Sequence, residues 1–192
     1  MSKRLTAADL ARAANAYGLS PRLIRAVAAV ESNGLGHADD GRPIVRFEPH
    51  WFQRLTKGVY DASHPRLSHA YGERRRWAQP AAQGRRYSDQ VEPAMTLDRG
   101  AGIRACSWGM FQMMGFNHAK CGFETPEAFL EAHWASEGEQ LLAMLAFVKR
   151  AGLIDELKRR DWAGFAHGYN GPDFAAGDYD GKLRRAYETA AA

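Results

Sequence analysis

Cysteine is scarce: Cys106 and Cys121 are the only two in 192 residues. Two thiols cannot build the disulfide framework of a small secreted scaffold, and a reducing cytosol keeps them as thiols. Long apolar runs are missing too, since none approaches the roughly 20 residues that span a bilayer. The start, "MSKRLTAADLARAANAYG", has basic residues but no uninterrupted apolar stretch and no small-residue cleavage pattern. Synthesis and folding in the cytoplasm are the expectation. The seven histidines form neither a His-Glu-x-x-His pair nor a Cys/His quartet, and the half-site spacing of His118 and Cys121 lacks a second pair. No metal is expected. A Walker-type phosphate loop, a Gly-x-Gly-x-x-Gly turn and a Gly-x-Ser-x-Gly elbow are likewise absent.

What is present is ordinary globular material. At 45% hydrophobic and 25% charged residues, the chain has enough apolar surface for one core and too little charge excess for disorder. The net charge of +4 favours polyanionic partners. Its arginine clusters, "ERRR" at 73–76 and "GRR" at 84–86, lack the interleaved aromatics of a nucleic-acid surface. They read as solvated faces capable of weak contact with anionic envelope polymers, and nucleic acid is not an expected partner. Neither repeats nor a composition break divide the chain, so one monomeric domain over 1–192 is expected.

Local signals are mostly helical. Thr6 and Asp9 form a capping box ahead of "LARAANAY", and Gly18 ends that segment. Ser20 followed by Pro21 starts a second helix with Leu23, Ile24, Val27 and Val30 on one face, running to Glu31. Residues 37–47 hold a turn at Asp40-Gly41 and a short β-prone run, which predicts a small hairpin or three-stranded patch. A helix start follows in "EPHWFQRLT". Residues 57–88 look irregular, and 89–105 return to helix. "SWGMFQMMG" (107–115) reads as a short apolar helix. Further helices are predicted from Thr125-Pro126, from Ser136, over 161–170 and from Tyr179. Residues 141–148 are apolar almost all round, which marks a central helix. The fold class is mainly α, with one small β-element.

Glu31 is the odd residue in this pattern. A helix C-terminus carries partial negative charge and disfavours an anion. Partial burial beside apolar neighbours adds to that effect, and both raise a carboxyl pKa. An acid that keeps its proton near neutral pH suits general-acid chemistry. Glycoside hydrolysis uses one such acid to protonate the leaving oxygen, and a second carboxylate as base or charge stabiliser.

Three segments occur in order: "ESNG" at 31–34, "SWGMFQMM" at 107–114 and "YNGP" at 169–172. Together they resemble the lysozyme-like fold shared by goose-type lysozymes and lytic transglycosylases. The resemblance is closer to the phage-type N-acetylmuramidase family of endolysins, through "DGRPIVRFEPHWFQRLT" (40–56), "CSWGMFQMMGFNHAKCGF" (106–123) and "SEGEQLLAMLAFV" (136–148). It covers roughly residues 5–185. The resemblance implies an α+β lysozyme-like catalytic domain without a separate wall-binding module and without a cofactor. It implies Glu31 as general acid, Ser107 and Gln112 as a glycan-binding segment, and Tyr169 and Asn170 as the segment facing the acid. Trp108 and Met113 are candidates for a sugar platform, with core packing as the alternative. Phe111 and Met114 read as core. Among candidates for the second carboxylate, Glu48 is preferred because a strand could aim it inward. Asp39 is the runner-up, although Asp39 and Asp40 beside Gly41 are most simply turn residues. The substrate implied is the β-1,4-linked glycan of peptidoglycan. A lytic transglycosylase and a non-catalytic glycan-binding module remain the competing readings. The family also implies a cytoplasmic protein released by a holin to act on the wall.

Overall fold

The computed structural model describes residues 3–32, 34–76, 82–172 and 177–190. Two helices open the chain. Helix α1 (Ala7–Tyr17) carries the expected reciprocal box, Thr6 accepting from the Asp9 amide while Asp9 accepts from that of Thr6, and Gly18 closes it with φ 62°. Helix α2 (Pro21–Glu31) is capped by the Ser20 hydroxyl, which accepts from the Leu23 amide, and it buries Leu23, Ile24 and Val27.

The small sheet differs from its expected form. The turn at Asp40-Gly41 exists, with the Gly41 amide donating to Ala38 O at 2.9 Å. The local hairpin shrinks to a single bridge, His37 with Pro43. Strand β1 (Val45–Phe47) pairs instead with a segment sixty residues downstream: β2 (Cys106–Trp108) lies antiparallel to it, and β3 (Met113–Met114) antiparallel to β2. The patch is therefore three-stranded, but two of its strands come from the stretch that reads as an apolar helix. Helix fails at 107–115 because the backbone turns at Gly109 (φ 72°) and Gln112 (φ 47°), both left-handed. The Gly109 amide then donates to Ile44 O at 2.8 Å, so the chain gains sheet contacts that no local pattern announces.

Short helices α3 (Pro49–Leu55), α4 (Gln83–Arg86), α5 (Glu92–Leu97) and α6 (Arg99–Arg104) follow β1, with a 3₁₀ turn at Tyr71–Arg76 and a π-helical turn at Tyr87–Val91. Helix α3 forms at the expected start in "EPHWFQRLT", and the others occupy the irregular 57–88 stretch and the 89–105 region. Residues 77–81 of that stretch, and Asn33 beside the acid, lie outside the described residues. Helices α7 (Pro126–Ala135), α8 (Glu137–Arg150), α9 (Ile154–Arg159), α10 (Trp162–Asn170) and α11 (Tyr179–Thr189) complete the chain. Helix α8 is the central one, burying Leu141, Met144, Leu145 and Val148. One core runs from α1 and α2 through the sheet to α8 and α11, with Phe47, Trp108, Phe129 and Phe165 fully buried in it.

Candidate active site

Glu31 is the last residue of α2, and the Ser32 amide behind it donates to Ala28 O at 3.0 Å. The helix interior thus delivers the carboxyl into the protein at the point where the chain leaves for a loop. Its Oε1 is buried without a hydrogen-bond partner. Burial pushes its pKa up to about 8. Solvent cannot stabilise the anion there and no cation compensates, so the proton stays on.

Tyr169 is the neighbour that feels this acid. It sits in the last turn of α10, its ring stacked on Phe165 at 5.5 Å and edge-on to Phe147 at 6.1 Å. Its hydroxyl is directed at the Met113 sulfur, 3.9 Å away. Its pKa is raised, first by burial and then by the charges that Glu31 and Cys121 would carry. Glu31, Tyr169 and Met113 are therefore brought together from α2, α10 and β3. Asn170 follows at the exposed end of α10.

Ser107 and Gln112 meet across the β2–β3 turn. The Ser107 hydroxyl donates to Gln112 Oε1 at 3.0 Å, and Gln112 Nε2 donates to Gly109 O at 2.8 Å. Trp108 does not present a face to sugar. It is fully buried, and its indole N–H donates to Ile103 O at 3.0 Å. The pairing explains this: Val45 lies opposite Trp108 and Phe47 opposite Cys106, so alternation sends these four side chains into the core. Met113, paired with Trp108, is buried for the same reason and serves as a contact for Tyr169 instead of an open platform. Phe111 is buried as well.

The opposite face of the sheet carries Arg46 and Ser107, which are partners in the register. Glu48 follows just beyond the strand end. Its carboxylate lies 3.0 Å from Arg46 Nε and 3.7 Å from His50 Nδ1. No hydrogen bond or ion pair joins Glu48 to Glu31. Asp39 is exposed at the 38–42 turn, where its neighbour Asp40 accepts from the Arg42 amide at 3.0 Å.

Two polar residues of α8 escaped the sequence reading, yet they anchor this region. Gln140 is fully buried. Its Oε1 accepts from the Met110 amide at 2.8 Å, while its Nε2 donates to His133 O at 2.9 Å and to Gly36 O at 3.4 Å. Glu137, also buried, accepts from the Gly36 amide at 2.8 Å, the Leu5 amide at 2.8 Å and Arg4 Nη1 at 3.1 Å. The loop leaving Glu31 and the turn holding Gln112 are thus tied to one helix. Glycine is required on both: a Cβ at Gly36 or Gly109 would collide with the Gln140 amide. The available signal was two polar side chains one turn apart at the start of an apolar helix.

A small helical domain with a short sheet, and one desolvated acid offered at a helix end, define a glycosidase of lysozyme type. The chain belongs to the N-acetylmuramidase family, whose model matches residues 20–191, from the cap of α2 onward. Among solved structures it is similar to the endolysin of Burkholderia phage AP3, at 34% identity and a TM-score of 0.85, over 98% of this chain and 72% of that one. The comparison with curated proteins returned no match.

Proposed function

We propose that this protein is a peptidoglycan-cleaving endolysin that hydrolyses the β-1,4 bond between N-acetylmuramic acid and N-acetylglucosamine. Glu31 is its general acid. The observation that carries the reading is the desolvated Glu31 carboxyl at the end of α2, whose buried Oε1 has no hydrogen-bond partner; burial raises its pKa to about 8. It donates its proton to the glycosidic oxygen as the bond to the muramic acid C1 breaks, and positive charge develops on that ring. Tyr169 lies beside the acid from α10 with its hydroxyl turned to the Met113 sulfur, and its proposed role is to keep the acid's surroundings desolvated. Ser107, Gln112 and Asn170 supply hydrogen bonds to the glycan. Glu48, held by Arg46 and His50 on the strand face shared with Ser107, is the carboxylate for the second role of base or charge stabiliser. Asp39 is left to the turn. A holin-type membrane lesion is the proposed route to the wall, as the family resemblance implies. The chain acts as a monomer in this reading.

A second outcome on the same acid is lytic transglycosylation, and the lack of a hydrogen bond between Glu48 and Glu31 does not choose between the two, since the paired carboxyls of a hydrolase stand about 5–9.5 Å apart. Lytic transglycosylation needs a single carboxylate, because the sugar's own C6 hydroxyl closes onto C1. Product analysis separates the two, since hydrolysis leaves reducing muramic acid ends and transglycosylation leaves 1,6-anhydro ends. For the acid itself, Glu31→Gln is expected to lower clearance of chloroform-permeabilised Gram-negative cells by about 10²–10⁴-fold with the fold intact. Unchanged clearance would overturn the assignment of Glu31 as the acid.

A further inference from the structure

A groove of about 660 Å³ lies between the end of α1, the 119–122 turn and the end of α8, lined by Tyr17, Lys120, Lys149 and Arg150 among others. A second hollow of about 340 Å³ shares Tyr17 and Lys149 with it and extends to Lys158, with Asp155 in its lining. All four cationic side chains are exposed. None has an ion-pair partner among the described residues. The two hollows therefore form one basic trough.

Its near end adjoins the acid's surroundings. Lys120 Nζ sits 5.9 Å from the centroid of the Phe147 ring, and that ring is edge-on to Tyr169. Cys121, the next residue, lies close enough to both Tyr17 and Tyr169 for a charge on its thiol to act on each. Phe147 thus links the trough's lining to Tyr169, the neighbour of Glu31. We infer that the trough binds the acidic stem peptide borne by the peptidoglycan strand in the cleft, its carboxylates meeting Lys120, Lys149, Arg150 and Lys158. The inference rests on the peptidoglycan reading above. A stem peptide hangs from the muramic acid residue and carries free carboxylates spaced along a backbone. The small lining residues Ala119, Gly122 and Ala146 leave room for such a backbone. A bilayer is the poorer fit, because the larger groove is concave and lacks the large aliphatic side chains that insert among lipids.

The test compares the wild type with Lys149→Gln/Arg150→Gln on two substrates: intact sacculi, and the same glycan strands stripped of stem peptides by an amidase. KM on sacculi is expected to rise about fivefold, the loss of two exposed charge contacts of ordinary strength, with kcat unchanged. On stripped strands the variant is expected to match the wild type, and high salt should erase the difference on sacculi. An equal change on both substrates, or on neither, overturns the inference. So does loss of wild-type binding to anionic phospholipid vesicles in the variant with both KM values unmoved, which would make the trough a membrane contact. If the wild type cleaves neither substrate, the peptidoglycan reading itself has failed.

Discussion

At the scale of single residues, Glu31, the proposed general acid, is held protonated at a cost in stability. Its ordinary pKa is 4.5, and in the folded protein it is pushed up to about 8 by burial. Below about pH 4.5 both folded and unfolded chains hold the proton, so nothing is lost. Between those values the unfolded chain ionises while the folded one does not, and stability declines as pH rises toward 8, then levels off. The full cost is on the order of 5 kcal/mol. Glu31→Gln removes that dependence, so its stability advantage over the wild type is expected to widen from pH 5 to pH 8.5 in thermal melts. Parallel curves would show an acid that titrates normally. Hydrolysis itself is expected to fall as pH climbs through about 8, because the donor proton leaves. This residue was legible in the sequence because its oddity is local: an acid at the end of an apolar helix needs no tertiary knowledge to stand out. Trp108 was not, because an aromatic in a glycan-binding motif looks the same whether it faces sugar or core. Only its pairing with Val45 decides that.

At the scale of elements, the loop after Glu31 and the β2–β3 turn behave as one unit through α8. Replacing Gln140 by Leu keeps the volume roughly but strands the Met110 amide and removes the side-chain donor to His133 O, while Gly36 O keeps the Ile44 amide at 2.9 Å. Leaving such buried groups unpaired costs about 1–3 kcal/mol each. Gln140→Leu is therefore expected to lower stability by about 3 kcal/mol in denaturant titrations. Clearance should drop even well below the melting temperature, since the loop leaving the acid loses its anchor. Full activity in a folded variant would show that the loop is held without Gln140, through Glu137 and the Ile44 amide. The capped helices were readable at this scale, since Thr6, Ser20, Thr125 and Ser136 each accept the amide three residues on. The sheet was only half readable. "PIVRF" was recognisably β-prone, but its partner is far away in sequence. The partner's own apolar run fits a helix until Gly109 and Gln112 turn left-handed. Periodicity cannot separate a short buried strand from a buried helix turn.

At the scale of the whole molecule, the chain's last helix supports the one that carries the acid. Helix α11 packs along α2. Its sequence reads as a polar helix with little apolar content, so its place in the fold was not legible even though its existence was. Leu183 is its fully buried side chain. Tyr187 adds a ring against Trp162 at 5.6 Å, and Arg22 of α2 lies over that ring at 4.6 Å. The same guanidinium donates to Tyr187 O and Glu188 O, both at 2.9 Å, satisfying carbonyls at the end of α11. Leu183→Ala opens a cavity against α2 and is expected to cost about 2–5 kcal/mol. Arg22→Ala, losing partly exposed contacts, should cost about 1 kcal/mol. Ranking the two by thermal melts, and assaying clearance beneath each melting temperature, tests whether α11 acts on Glu31 through α2. Supported geometry predicts that Leu183→Ala loses activity before it unfolds, because the far end of α2 positions the acid. Activity that tracks the folded fraction alone would make α11 a stabilising clasp with no bearing on the site.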